Sequence, residues 1–287
     1  MKYVLAVSGG VDSVVLLDKV MKCDLINLLP SDEVVVAHFD HGIREESSDD
    51  AKFVQKLAKK YGVDYILGKA KLGAKASEDD ARRARYEFLR SVATGSDPVR
   101  IVTAHHQDDL VETIVMNILR GTGWRGLAPF WSEGIIRPLI DITKVDIVQY
   151  AIENDLKWVE DETNYSEKYF RNRIRSALDG AKTEQKDQLI YLYNKQAKLR
   201  AGIEEILSSI PVISGSYPVN VKQLTEVDEE ISTEILNKMT DGKLTSPQLE
   251  RLLKFVKDSK TGDICQPGAG MQITKKRGNM IALGNLR

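Results

Sequence analysis

Val7-Ser8-Gly9-Gly10-Val11-Asp12-Ser13 follows a short apolar stretch, Tyr3 to Val7, and runs on into Val14-Val15-Leu16-Leu17. The pattern reads as a strand, a glycine turn and a helix. Paired glycines let a backbone approach an anion closely, and a helix start offers unpaired N–H groups and the positive end of its dipole. Ser8 and Ser13 add hydroxyl donors, so the turn reads as a phosphate loop. It has neither the G-x-G-x-x-G spacing of dinucleotide folds nor the lysine of G-x-x-x-x-G-K-[ST] loops, which sets both assignments aside. Asp12 would repel a phosphate unless magnesium lay between them, which points to a nucleotide site served by Mg2+.

Working outward, strand and helix signals alternate. Val34 to Phe39 reads as a strand, and residues 47 to 60 as a helix with Phe53, Val54, Leu57 and Ala58 on one face. Tyr65-Ile66-Leu67 precedes a helical stretch at 77 to 92, and Arg100 to Ala104 precedes another at 106 to 120. Repeated strand-helix units imply an α/β fold, a parallel twisted sheet with helices on both faces and ligands at the carboxyl ends of its strands. That places Ser8 to Ser13, Asp40-His41 and Ala104-His105-His106 on one rim. Residues 143 to 158 and 183 to 208 also read as helical, and there the rhythm stops. The expected division is a catalytic domain at 1–182, a linker helix at 183–208 and a small α+β domain at 209–287. In the last, a helix near 246 to 258 and a Gly268-Ala269-Gly270 turn precede two strands, Met271 to Thr274 and Met280 to Leu283, joined by a basic tip at Lys275, Lys276 and Arg277.

The 287 residues are 42% hydrophobic and 29% charged, which excludes a membrane chain and a low-hydrophobicity disordered one. Cys23 and Cys265 cannot make a disulfide framework or a Cys-rich zinc site, and no stretch reaches the roughly 18 apolar residues of a membrane span. The start shows no secretory pattern, so a cytoplasmic protein is expected. The net charge of −1 hides local blocks: residues 251 to 287 hold eight basic residues against two acids, an excess of +6. A basic face on a neutral body fits nucleic acid, and a solvated surface fits as well.

A second constellation, His105-His106-Gln107-Asp108-Asp109 with Glu112, follows a strand and becomes helical. Spacings of four and three would place His105, Asp109 and Glu112 near one helical face. Three carboxylates within five residues repel one another and need a metal ion, an arginine or a cationic substrate. All four histidines (His38, His41, His105, His106) fall on two strand ends, so zinc is an alternative to magnesium carried in with a nucleotide. Arg82 and Arg85, three apart, can share a helix face, where an arginine would stabilise charge on a phosphate.

Ser8-Gly9-Gly10-Val11-Asp12-Ser13 resembles the pyrophosphate loop of the ATP pyrophosphatases, which adenylate a carbonyl-type oxygen and let a nucleophile displace AMP. Further motifs narrow the resemblance to the tRNA(Ile)-lysidine synthetase family. They are Asp40-His41-Gly42-Ile43-Arg44 with Ser47, Arg82 to Leu89, and Thr103 to Asp109 with Glu112-Thr113. Arg120-Gly121-Thr122-Gly123, Arg137-Pro138-Leu139, Asp161-Glu162-Thr163-Asn164 and Arg171-Asn172-Arg173-Ile174-Arg175 follow in order. The family commonly has proline after the first aspartate of the Asp161 motif, a departure that concerns loop stiffness.

The resemblance implies an ATP-dependent carbon–nitrogen ligase. It joins free L-lysine to C2 of the wobble cytidine of CAU-anticodon tRNA(Ile) through an adenylated cytidine, releasing pyrophosphate and AMP. Decoding then changes from AUG to AUA and identity from methionine to isoleucine. Carried over residue by residue, Ser8, Gly9, Gly10, Val11, Asp12 and Ser13 would hold ATP together with Asp40 and His41, and Asp12 would meet magnesium. Arg85, His105, Asp109 and Glu112 would be catalytic, with the two acids receiving lysine. Asp108, Arg120, Arg125, Arg171, Asn172, Arg175, Lys275, Lys276 and Arg277 would contact substrate or tRNA. Longer members carry a second carboxyl-terminal domain, so a smaller tRNA footprint, or one helped by a homodimer, is expected here. A tRNA thiolation enzyme, a GMP or NAD synthetase and a non-catalytic RNA-binding relative are the competing readings.

Overall fold

The computed structural model describes residues 1–42, 47–70, 78–95, 98–132, 134–160, 170–209 and 219–285. Ile43, Arg44 and the Asp161 to Asn164 motif lie outside the described residues, as does the Asn172 side chain. The chain divides into two compact units, Met1–Gln196 and Ala197–Arg287, and the division falls within the helix read as a linker.

The first unit carries a five-stranded parallel sheet. Its strands are β1 (Lys2–Ala6), β2 (Glu33–Asp40), β3 (Asp64–Lys69), β4 (Val99–Val102) and β5 (Ile135–Ile136), in the order β3-β2-β1-β4-β5. Strand side chains alternate between faces. On one face Leu5 and Val36 pack with Val14, Leu17, Val54, Ala58, Ile147 and Ala151 from helices α1 (Val11–Met21), α2 (Ser47–Tyr61) and α5 (Lys144–Glu153). On the other, Val4, Ala37 and Ile101 pack with Tyr86 and Leu89 of α3 (Glu78–Val92). Helices therefore cover both faces, as the βα rhythm requires. The order reverses about β1, so the loops after β1 and β4 meet at the topological switch point where such sheets bind ligands.

α4 (Gln107–Leu119) and α6 (Phe170–Asp179) complete the surroundings of that crevice, and α7 runs over Thr183–Ser209. α5 stops short of the expected residue 158 because Asp155 takes φ +51°, a left-handed helix end. Among the described residues no helix is long and apolar enough to cross a membrane.

The second unit packs an antiparallel sheet, in the order β6 (Val219–Asn220), β9 (Met280–Asn285), β8 (Met271–Lys276), β7 (Ile264–Gly268). Its helices are α8 (Lys222–Thr225), α9 (Glu229–Met239) and α10 (Ser246–Asp258). Leu249, Leu252, Leu253 and Val256 form the buried stripe of α10, spaced as an amphipathic helix demands. One expectation needs correction. The two-residue pleat aligns Lys275 inward with Met271 and Ile273, where it is 5% exposed and its Nζ donates to the Val256 carbonyl at the end of α10. The ribbon's exposed basic tip is Lys276 and Arg277.

Candidate active site

Gly9 adopts φ +100°, a conformation that side-chain-bearing residues rarely take, and the turn delivers Gly10 as the cap of α1. The Ser13 hydroxyl is the hub of this loop. It accepts from the Ser8 and Gly9 backbone N–H groups at 3.2 and 3.1 Å and donates to the Gly10 carbonyl at 2.9 Å. The loop is thus wired before any ligand arrives. Beneath it, buried His38 holds its Nδ1 2.8 Å from the Val7 carbonyl, a structural role for one of the four histidines.

Asp12, in the first turn of α1, pairs with the Lys144 Nζ at 2.5 Å. Lys144 opens α5, and its backbone N–H is bound by the Asp108 carboxylate at 2.7 Å. Asp108, expected among the substrate-binding groups, is therefore turned toward α5 and ties two helix starts together. The His106 ring beside it is the main cause that holds its pKa down at about 2.

His106 caps α4, and Asp109 reaches back to accept its backbone N–H at 3.2 Å, a reciprocal helix-start device. The His106 Nε2 lies 3.9 Å from Asp12 and 3.4 Å from Asp109. One ring thus joins the phosphate loop to the acidic helix. Burial works against a charge on His106, but Asp108, Asp109 and Asp12 outweigh it and raise its pKa.

His105 departs from the expected arrangement. It precedes α4, because the helix begins only at Gln107, so it does not share a helical face with Asp109 and Glu112. Its Nδ1 sits 2.9 Å from the Thr103 hydroxyl, and its ring tilts against Phe130 at 4.8 Å between centroids. Burial pushes its pKa well down, and Arg137, Arg82, Arg85 and Arg171 push it the same way.

The acids find their partners in α6. Arg171 donates to Asp109 at 2.7 Å and to Glu112 at 2.8 Å, while Arg175 donates to Glu112 at 2.6 Å. Glu112 is 3% exposed, so these pairs neutralise a buried carboxylate. α6 carries an apolar stripe at helical spacing, Phe170, Ile174, Ala177 and Leu178, and a second signal lies in complementarity: arginines at i and i+4 opposite acids at i and i+3. Lys144 had no motif of its own and was missed.

The remaining expected residues fall in varied places. Asp40 accepts the Gly42 N–H at 2.8 Å within its own loop, and His41 stands edge-on to Phe39 at 4.8 Å. Burial, and next the Arg85 charge, lower the His41 pKa. Arg85 lies over the Tyr86 ring on α3, within the electrostatic reach of Asp109. Arg120 ends α4, and Arg125 stacks on Trp124 at 4.6 Å in the loop that follows. Lys276 and Arg277 belong to the second unit. Among the described residues no group of three His, Cys, Asp or Glu side chains is arranged to hold a metal ion, so zinc has no complete ligand set there.

Comparison with known proteins bears on the family and the fold. Residues 1–181 match the model of the PP-loop domain family. A tRNA(Ile)-lysidine synthase of Petrotoga mobilis is 31% identical, over 98% of this chain and 91% of its own. Another, of Solibacter usitatus, is 39% identical over 60% of this chain; that match spans 39% of the relative's own length, so the chain corresponds to about two fifths of it. Among solved structures, the U34-tRNA thiolase NcsA of Methanococcus maripaludis superposes with a TM-score of 0.57 at 19% identity, covering 69% of this chain and 72% of its own; the likeness is one of fold.

Proposed function

From the premise that this chain belongs to the PP-loop family and, within it, to the tRNA(Ile)-lysidine synthases, we propose that it ligates L-lysine to the wobble cytidine of a CAU-anticodon tRNA(Ile) at the expense of ATP. The C2 oxygen of cytidine attacks the α-phosphorus of ATP and expels pyrophosphate. The lysine amine then attacks C2, the C2–O bond breaks with AMP as the leaving group, and the amine gives up a proton. The observation that carries this reading is the junction at His106, which sets the phosphate loop and the Asp109–Glu112 pair in one crevice. The near-full-length relative adds the substrate.

Each residue's part follows from its surroundings. Ser8 to Ser13 would grip the pyrophosphate end with backbone amides and hydroxyls, and Lys144 would add a cation beside it. Magnesium carried by a nucleotide needs only one or two protein carboxylates, and a partly exposed Asp12 at the loop fits that need. Arg85 would stabilise charge in the adenylation step. Asp109, shared with Arg171, would orient the cationic lysine and take up its proton, which matters because a free lysine side chain has a pKa near about 10.4. His105 is held neutral beside the arginines, a state suited to accepting or passing a proton without adding charge. The second unit, with Lys276 and Arg277, would hold RNA backbone.

The test is transfer of labelled lysine to a tRNA(Ile) transcript with a CAU anticodon, beside a transcript altered at the wobble base. Incorporation into the first alone is expected. Incorporation into both, or into neither, overturns the reading.

A further inference from the structure

Three guanidiniums beside the crevice lack the partners that Arg171 and Arg175 possess. Arg82 and Arg85 both lie over the Tyr86 ring, 5.0 and 5.6 Å from its centroid, and Arg137 donates through Nη1 to the Phe130 carbonyl at 2.5 Å. Among the described residues none of the three forms an ion pair with a carboxylate. Among the described residues two buried polar atoms in the same place, the Tyr86 hydroxyl and the Arg137 Nε, lack an aligned hydrogen-bond partner, and the hydroxyl stands beside the Arg137 guanidinium. Buried donors in native proteins are nearly always satisfied, and like charges gather only where something of opposite sign is to be met.

His105 reports the same division: burial disfavours a charge on its ring, and next Arg137, Arg82, Arg85 and Arg171 do so as well. Burial also lowers the Arg85 and Arg137 pKa values, while Arg175, backed by Glu112, is raised despite burial. The crevice thus has an anionic side next to the phosphate loop and an uncompensated cationic side around His105. ATP is provided for on the first side by the loop and Lys144.

We propose that Arg82, Arg137 and the Tyr86 hydroxyl, with Arg85 beside them, form a second oxyanion seat that takes a backbone phosphodiester of the RNA at the nucleotide being modified. The seat fits the substrate class of the reading above and rests on it. An arginine fork matches two phosphate oxygens at once, and a buried tyrosine hydroxyl supplies one further donor. Fixing the strand next to the reacting base would hold the C2 oxygen in line with the nucleotide, a positioning effect separate from the chemistry.

The experiment uses the full chain and CAU-anticodon tRNA transcripts, each carrying one uncharged methylphosphonate linkage, either 5′ or 3′ of the wobble cytidine. In the wild-type protein one of these linkages is expected to weaken RNA binding about tenfold. In Arg82→Gln, which removes the guanidinium lying over the Tyr86 ring, and in the isosteric Tyr86→Phe, that linkage should cost no more than about twofold. Affinity for a non-hydrolysable ATP analogue should stay unchanged in both. A full tenfold penalty in both variants, or no penalty at either linkage in the wild type, overturns the seat. Loss of the ATP analogue with RNA binding retained would assign the oxyanion to the nucleotide instead and also overturn it. A wild-type protein that does not bind the unmodified transcript would sink the functional reading itself, whereas binding with an undiminished penalty in the variants sinks the seat alone.

Discussion

Arg175 presents its Nε to the Oε1 of Glu112 at 2.6 Å, which fastens α6 to the buried acidic face of α4. With Arg171 on the other Glu112 oxygen, a single carboxylate binds two guanidiniums one helical turn apart.

Glu112→Ala should therefore destabilise the protein by about 2–3 kcal/mol, somewhat below the usual cost of breaking a fully buried pair because Arg175 reaches solvent. Urea unfolding measures it. Lys52→Ala, which breaks an exposed pair with Asp49, should leave the midpoint where it was, and equal losses in the two variants would remove the special standing of Glu112.

Asp109→Asn separates chemistry from nucleotide binding. The isosteric amide can still accept the His106 N–H, so the start of α4 should survive. Lysine incorporation should fall by about a hundredfold or more, within the range expected for a positioned proton acceptor, with ATP binding nearly intact. Normal turnover would remove Asp109 from the assignment.

Lys144→Met removes the nearest counter-charge of Asp12 beside the phosphate loop and leaves it the more distant His106 ring. ATP-analogue affinity should drop about tenfold by calorimetry, the scale of one charge-assisted contact. The fold should tolerate the change, because the Lys144 side chain is 41% exposed and its backbone contact to Asp108 does not depend on it.

The pH dependence follows from His106. Its folded pKa is raised, so its contribution to stability is complete below the unfolded value near about 6.5 and is lost as pH rises through the folded value. Wild type should exceed His106→Asn in melting temperature by more at pH 5.5 than at pH 8.5. Asp108 remains charged throughout that range, and its own contribution disappears only as pH falls from about 4 toward its folded pKa of about 2. A difference between the two proteins that does not vary with pH would contradict the assignment.

The sheet could be read from the sequence because a glycine turn and repeated strand-helix periods are local signals, and β1 to β4 with their helices follow them. What escaped depended on contacts distant in sequence. β5 is two residues long and pairs only because β4 lies beside it. α6 supplies the counter-charge to Asp109 and Glu112, 59 or more positions away. Lys275 looked like part of a basic tip until the strand register turned it inward. The acids were readable as groups in need of a partner. Which arginines would answer them was not.

Ser13 sets a threshold for whatever enters the phosphate loop. Its hydroxyl already engages the amides of Ser8 and Gly9, so a visitor must outbid a neutral oxygen that is covalently fixed in place. Another neutral oxygen gains little by the exchange, whereas a doubly charged terminus gains the stronger contact with the same amides. The turn therefore discriminates by charge before shape, and molecules of adenosine type without phosphates should pass it by.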